Sequence, residues 1–171
     1  LPTTPGMDTM ACMKAAIDGE IDISFLLGGN LFNSNPDSQF AEKALNKIPL
    51  KIFLNTTLNH GHFYGVDKEI IILPVLTRDE EIEKTTQESM FNFIRLSDGG
   101  IKRIKNIRSE VEIVADIAER VLPDHTIKFG NLRNHKYLRE LIAKSIPGFE
   151  KIKTIDDNGE EFQISNRTFH E

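Results

Sequence analysis

From Asp8 to Pro74 the apolar positions switch between helical and strand spacing. Met10, Met13, Ala16 and Ile17 share one helical face between Asp8 and Asp18, and Gly19 is a suitable C-terminal stop. The mostly apolar run Ile21 to Leu27 then ends in Gly28-Gly29-Asn30, as a buried parallel strand and its loop should. Pro36 and Asp37 open a second helix, with Phe40, Ala44 and Leu45 on its buried side. Leu50 to Leu54 is a second apolar strand, ending in Asn55-Thr56-Thr57, and a short helix is expected over Leu58 to Tyr64. Glu69 to Pro74 is a third strand, stopped by its proline. Strands and helices alternating at such short separations predict an α/β fold with a mostly parallel sheet of three to five strands.

The pattern changes after Pro74. Thr77 to Glu88 is crowded with acidic residues and predicts an exposed loop or helical turn. Met90 to Leu96 and Ile101 to Ile107 flank Ser97-Asp98-Gly99-Gly100, which predicts a β-hairpin. Ser109 and Glu112 form a capping box ahead of a helix whose apolar stripe is Val111, Val114, Ala115, Ala118 and Val121 or Leu122. A further helix is predicted from Asn134 to Lys144. A terminal hairpin is predicted around Asp156-Asp157-Asn158-Gly159, between Ile152–Ile155 and Glu161–Ile164. The expected core is Ile23, Phe25, Leu27, Ile52, Leu54, Ile70, Ile72, Val114 and Ile117.

Composition narrows the possibilities. A chain of 171 residues with 39% hydrophobic content fits one ordinary domain, with room for a small appendage. The net charge of -5 gives no footprint for nucleic acid. Lys102, Arg103, Lys105 and Arg108 cluster, as a solvated strand edge and helix start would. The single cysteine, Cys12, excludes an internal disulfide and a cysteine-based cluster, fits a reducing, cytoplasmic setting, and sits where a small apolar filler belongs. No apolar run approaches the roughly 20 residues that span a bilayer. Both termini have the character of cuts inside a longer protein.

Chemistry concentrates at the predicted strand ends, where open α/β sheets bind ligands. Gly28-Gly29-Asn30 allows close backbone approach, and Asn33, Ser34 and Asn35 follow; Asn55-Thr56-Thr57 offers similar groups at the next strand. Such amides and hydroxyls bond ribose, phosphate or base edges, yet the same residues also fill ordinary turns. The loop is neither a G-x-G-x-x-G fingerprint nor a phosphate-cradling Walker loop. Asn59-His60-Gly61-His62 places its imidazoles two apart, off a common helix face, which favours hydrogen bonding near a ligand or plain exposure over metal ligation. No catalytic residue and no metal ligand can be assigned.

Seven segments in order carry a family resemblance: Pro5-Gly6-x-Asp8, Asp18-Gly19-Glu20-Ile21, Leu27-Gly28-Gly29-Asn30 with Asn35-Pro36-Asp37, Asn55-Thr56-Thr57-Leu58-Asn59, Ile71-Ile72-Leu73-Pro74, Glu88-Ser89-Met90, and Arg108-Ser109-Glu110-Val111-x-Ile113-Val114-Ala115-x-Ile117-Ala118. Over roughly Pro5 to Leu122 the chain resembles the molybdopterin oxidoreductases of the dimethyl sulfoxide reductase superfamily, in particular the formate-dehydrogenase-like group. The resemblance implies a three-layer, doubly wound α/β layer similar to a dinucleotide-binding fold. It implies that residues 1–122 form a cofactor-binding domain and 123–171 a C-terminal extension leading to the next domain. The implied cofactor is bis-molybdopterin guanine dinucleotide, carrying molybdenum or tungsten and shared with other domains of the same enzyme. Gly28, Gly29 and Asn30 would face its diphosphate or ribose, Ser34 would add a hydroxyl, and Asn55 with Thr56 would lie near ribose or base. Many relatives carry an acidic residue where Asn30 and Asn55 stand here. No nucleic acid or membrane partner is implied, the substrate is not identified, and no turnover is expected from this chain alone. A stand-alone α/β nucleotide-binding regulatory module and a purely structural interaction domain are the alternative readings.

Overall fold

The computed structural model describes residues 5–89 and 92–164, which form two compact units, Leu1–Val75 and Leu76–Glu171. Residues from Leu76 to Leu122, placed by resemblance with the first layer, pack with the C-terminal elements.

The N-terminal unit is the α/β part. Helix α1 (Thr9–Ile17) is capped by Asp8, whose carboxylate accepts the Ala11 N–H, and Gly19 leaves the helix at φ +76°. Strand β1 (Ile23–Leu27) leads into a one-turn helix, α2 (Leu31–Ser34), and then α3 (Ser38–Leu45), capped by Asp37. Strands β2 (Leu50–Asn55) and β3 (Glu69–Pro74) follow. The sheet is parallel in the order β1-β2-β3, with Phe25 opposite Ile52 and Ile52 opposite Ile71. The helix expected over Leu58 to Tyr64 is a single 3₁₀ turn, His60–His62.

One sheet face is covered. Met13, Ala16, Ala44, Leu45 and Ile48 bury each other, and Lys51 of β2 is fully buried beside α3. Its ammonium donates to the Leu45 and Ile48 carbonyls at 3.1 and 3.0 Å, capping the end of α3. Burial pushes the Lys51 ammonium below its ordinary pKa, opposed by the nearby Asp67 carboxylate. On the opposite face Ile23, Phe25, Leu27 and Ile71 remain exposed. The second helical layer of the expected three-layer arrangement is therefore not supplied by the described residues. This corrects the expected core: Ile23, Phe25, Leu27, Ile72 and Val114 are exposed, Ile52, Ile70 and Ile117 are half-buried, and only Leu54 is fully buried.

The C-terminal unit pairs β4 (Thr85–Glu88), β5 (Phe93–Ser97) and β6 (Phe162–Gln163) into an antiparallel sheet of order β4-β5-β6. Its core is Ile94, Ile152, Ile155, Phe162 and Ile164. Helix α4 (Glu110–Val121) begins on the expected Ser109–Glu112 capping box, and α5 (His135–Ser145) is capped by Asn134.

Two hairpin expectations are corrected. Thr85–Glu88 is a strand, and β5 pairs with it, whereas Ile101–Ile107 forms no strand. Gly99 and Gly100 serve another purpose than a hairpin turn: a Cβ on either would collide with the Ile82 or Asp79 carbonyl, and the Gly100 N–H donates to the Glu81 carbonyl. Residues 152–159, expected as a hairpin arm and turn, lie in a 3₁₀ turn over Glu150–Thr154 running into α6 (Ile155–Asn158), which Gly159 ends at φ +66°. Their apolar residues Ile152 and Ile155 are three apart, which places both on one helix face and in one core, whereas a strand would point them to opposite faces.

Candidate functional site at the strand ends

The carboxyl edge of the parallel sheet gathers all six residues singled out in the sequence. Gly28 extends the β1–β2 ladder by donating its N–H to the Leu54 carbonyl at 2.8 Å, then turns the chain at φ +63°, where an added Cβ would meet no atom within 4 Å. Gly29 is exposed. Asn30 caps α2, its Oδ1 accepting the Asn33 N–H at 3.1 Å, and Ser34, exposed on the last position of α2, donates its N–H to the Asn30 carbonyl. The Asn30 oxygen is therefore already engaged within the loop. Asn55 ends β2 and is buried, while Thr56 beside it is exposed.

The Asn59-His60-Gly61-His62 segment closes on this edge from the β2–β3 connection. A Cβ on Gly61 would lie 2.7 Å from the Asn30 Oδ1 and 3.1 Å from the Asn59 Oδ1, so any larger residue would displace those amides. Asn33 Nδ2 and His60 Nδ1 are 3.3 Å apart, and the Phe32 and Tyr64 rings stack at 4.6 Å. His62 packs its ring 4.8 Å from that of Phe53, which shares a face of β2 with Asn55. None of these cross-loop contacts has a short-range signature. The density of Asn and His was visible, but the pairing required knowing that the two loops meet.

Two buried side-chain atoms here have no hydrogen-bond partner: Asn55 Oδ1 and His62 Nε2. An unsatisfied buried polar atom costs about 1–3 kcal/mol, so such atoms are rare and mark either strain or a missing partner. Ser24 Oγ, earlier on β1, is the third such atom among the described residues.

The C-terminal unit holds a cleft of about 650 Å³ between Leu76, Thr86, Glu81, Glu110, His135 and Arg139. Its cations are already engaged. Arg139 is buried and donates from Nε and Nη2 to Asp156, at 2.6 to 3.0 Å, while its Nη1 donates to the Lys84 carbonyl. His135 Nδ1 lies 3.2 Å from that carbonyl, and its backbone N–H donates to Glu83. Burial pushes the Glu81 and Glu110 carboxyls above their ordinary pKa, with His135 partly opposing the shift at Glu81. Among the described residues no group of three or more His, Cys, Asp or Glu is placed to hold a metal, and no helix is long and apolar enough to cross a membrane.

No family model matches the chain. It is 29% identical over 157 residues to uncharacterized oxidoreductases of Mycobacterium bovis and Mycobacterium tuberculosis, a match that covers 86% of this chain and 20% of each relative. The chain therefore spans about a fifth of the length of the curated relatives it resembles.

Proposed function

We propose that this chain is the part of a larger molybdopterin-dependent oxidoreductase that holds one guanosine end of a bis-molybdopterin guanine dinucleotide. The observation that carries the reading is the buried, unpartnered Asn55 Oδ1 at the carboxyl edge of a parallel sheet, next to a glycine loop with room for a ligand. The residues present fit the group: Gly28 and Gly29 allow close approach of a diphosphate or ribose, Ser34 and Thr56 add exposed hydroxyls, and Asn30 and Asn55 supply amides. The likeness to oxidoreductases about five times as long supports a role within a multidomain enzyme. The uncovered sheet face points the same way, because parallel sheets are ordinarily covered on both sides.

When bound, the cofactor would supply two-electron redox chemistry at its metal; this chain's residues would bind and orient one end of it. No acid, base or nucleophile sits at the strand ends in an arrangement suited to catalysis, so the fragment alone is expected to be inactive.

The test is the metal and pterin content of the full-length protein purified from its own cells. Molybdenum or tungsten with two guanine-bearing pterins per chain is the expected result. A folded full-length protein lacking both metal and pterin overturns the reading.

A further inference from the structure

The Asn59-His60-Gly61-His62 segment has no role in the proposal above beyond its packing, yet its second histidine holds a buried ring nitrogen without a partner. Which nitrogen carries the proton follows from the neighbours. His62 Nδ1 lies 2.9 Å from the Asn59 N–H and 3.1 Å from the Asn59 carbonyl. That carbonyl already accepts the His62 backbone N–H at 3.0 Å. If Nδ1 accepts, the Asn59 N–H is satisfied; if Nδ1 donated, that N–H would lose its acceptor. The proton therefore sits on Nε2, and the unpartnered atom is a donor. Asn55 Oδ1, the other orphan of this edge, is an acceptor. Both belong to side chains on the Phe53 face of β2, with His62 against the Phe53 ring and Asn55 two positions further along the strand.

We propose that His62 is a ligand-binding residue of the strand-end site, its Nε2–H donating to the nucleoside part of the bound group while Asn55 Oδ1 accepts from it. The assignment rests on the reading of this edge as a guanosine site. A donor and an acceptor on one face of the same strand end suit a group that both gives and takes a hydrogen bond, such as a ribose hydroxyl or the N1–H and O6 edge of guanine. It does not suit a phosphate, which only accepts and would be repelled by the Asn55 oxygen. Gly61 and His60 are then the elements that fix His62, through the close approach to Asn30 and the contact with Asn33.

The test separates the two ring nitrogens. In H62N an amide oxygen can take the Nδ1 position and keep the Asn59 N–H bond, but nothing reaches the Nε2 position. In H62Q an amide reaches the Nε2 position and can donate there. Guanosine monophosphate and guanosine are titrated into the chain and both variants, with melting followed in parallel. H62N is expected to stay cooperatively folded, melting below the parent because the buried ring loses its Phe53 contact, and to bind both probes about tenfold more weakly while folded, the loss of one good hydrogen bond. H62Q is expected to hold affinity within about threefold of the parent. Equal affinity of H62N and the parent overturns the assignment, as does a loss confined to the phosphorylated probe, or no saturable binding by the parent. The broader reading is decided separately, by the pterin content of the full-length protein, so the two can fail independently.

Discussion

The two units treat their buried polar groups in opposite ways. In the C-terminal unit the buried charge is closed on itself: Arg139 takes both oxygens of Asp156 and the Lys84 carbonyl, and His135 is held by Glu83 and Lys84. In the N-terminal unit all three of the buried unpartnered side-chain atoms among the described residues occur, two of them at the carboxyl edge of a parallel sheet. Satisfied networks hold a fold together, whereas unsatisfied buried atoms mark strain or a missing partner. That contrast separates the C-terminal cleft, whose buried cations are paired, from the N-terminal edge, where two buried polar atoms are unpaired.

The largest effect should come from opening the closed network. Arg139→Met leaves the Asp156 carboxylate buried without its cation, and breaking such a pair on one side costs about 3–5 kcal/mol. Amide hydrogen exchange in α5 reports that loss locally, and R139M combined with D156L should recover most of it. Unchanged protection of α5 in R139M would mean that the pair contributes nothing and would erase the contrast.

The opposite sign is expected in the other unit. Asn55→Val removes an orphaned acceptor from a strand position that suits a branched residue, so protection of β2 amides should rise by up to about 1–2 kcal/mol. The same substitution should weaken guanosine binding, the usual exchange of function for stability at a binding site. A loss of protection would show that Asn55 holds the sheet together and is not reserved for a ligand.

How much of this was legible in the sequence follows the range of the interactions involved. Caps and glycine stops depend on residues within four positions, and Asp8, Asp37, Ser109 and Asn134 all cap the helices they were expected to open. The three parallel strands were legible because each is a short apolar run between turn residues. Their burial was not: Ile23, Phe25 and Leu27 have the pattern of a strand covered on both faces, and the chain described here covers one. The antiparallel sheet was misjudged because its partners lie far apart, β6 pairing with β5 across some 65 residues of chain, while Gly99 and Gly100 imitate a turn that they do not make. Gly28, Gly29, Asn30, Ser34, Asn55 and Thr56 could be named as candidates from their places after strands. His62 could not be singled out, because its unpartnered nitrogen exists only once Asn59 and Phe53 surround it. A cap on the well-read side tests this at modest size: Ser109→Ala should cost about 1 kcal/mol of α4 stability, and no cost would show that Glu112 alone holds the helix start.

The smallest effects, and the ones that compare the units most directly, are in their pH dependence. Lys51 is buried in the N-terminal unit with its folded pKa below the ordinary 10.5. Between the folded value and 10.5 the unfolded chain binds a proton that the folded chain does not, so stability must rise with pH through that alkaline window. Glu81 and Glu110, in the C-terminal unit, have folded values above the ordinary 4.5. Between 4.5 and those values it is the folded chain that holds the extra protons, so their contribution falls as pH rises, and the penalty is complete above the folded values. Protection of β2 amides, taken as exchange relative to the intrinsic rate at each pH, should therefore rise on going alkaline, with the dependence abolished in K51M. Exchange in α4 should be slower at neutral pH in the E81Q/E110Q double variant than in the parent, and the difference should vanish below pH 4.5, where both states are protonated. Parallel pH profiles for the two units, or a K51M profile that keeps the alkaline rise, would show that these groups do not control the local stability assigned to them.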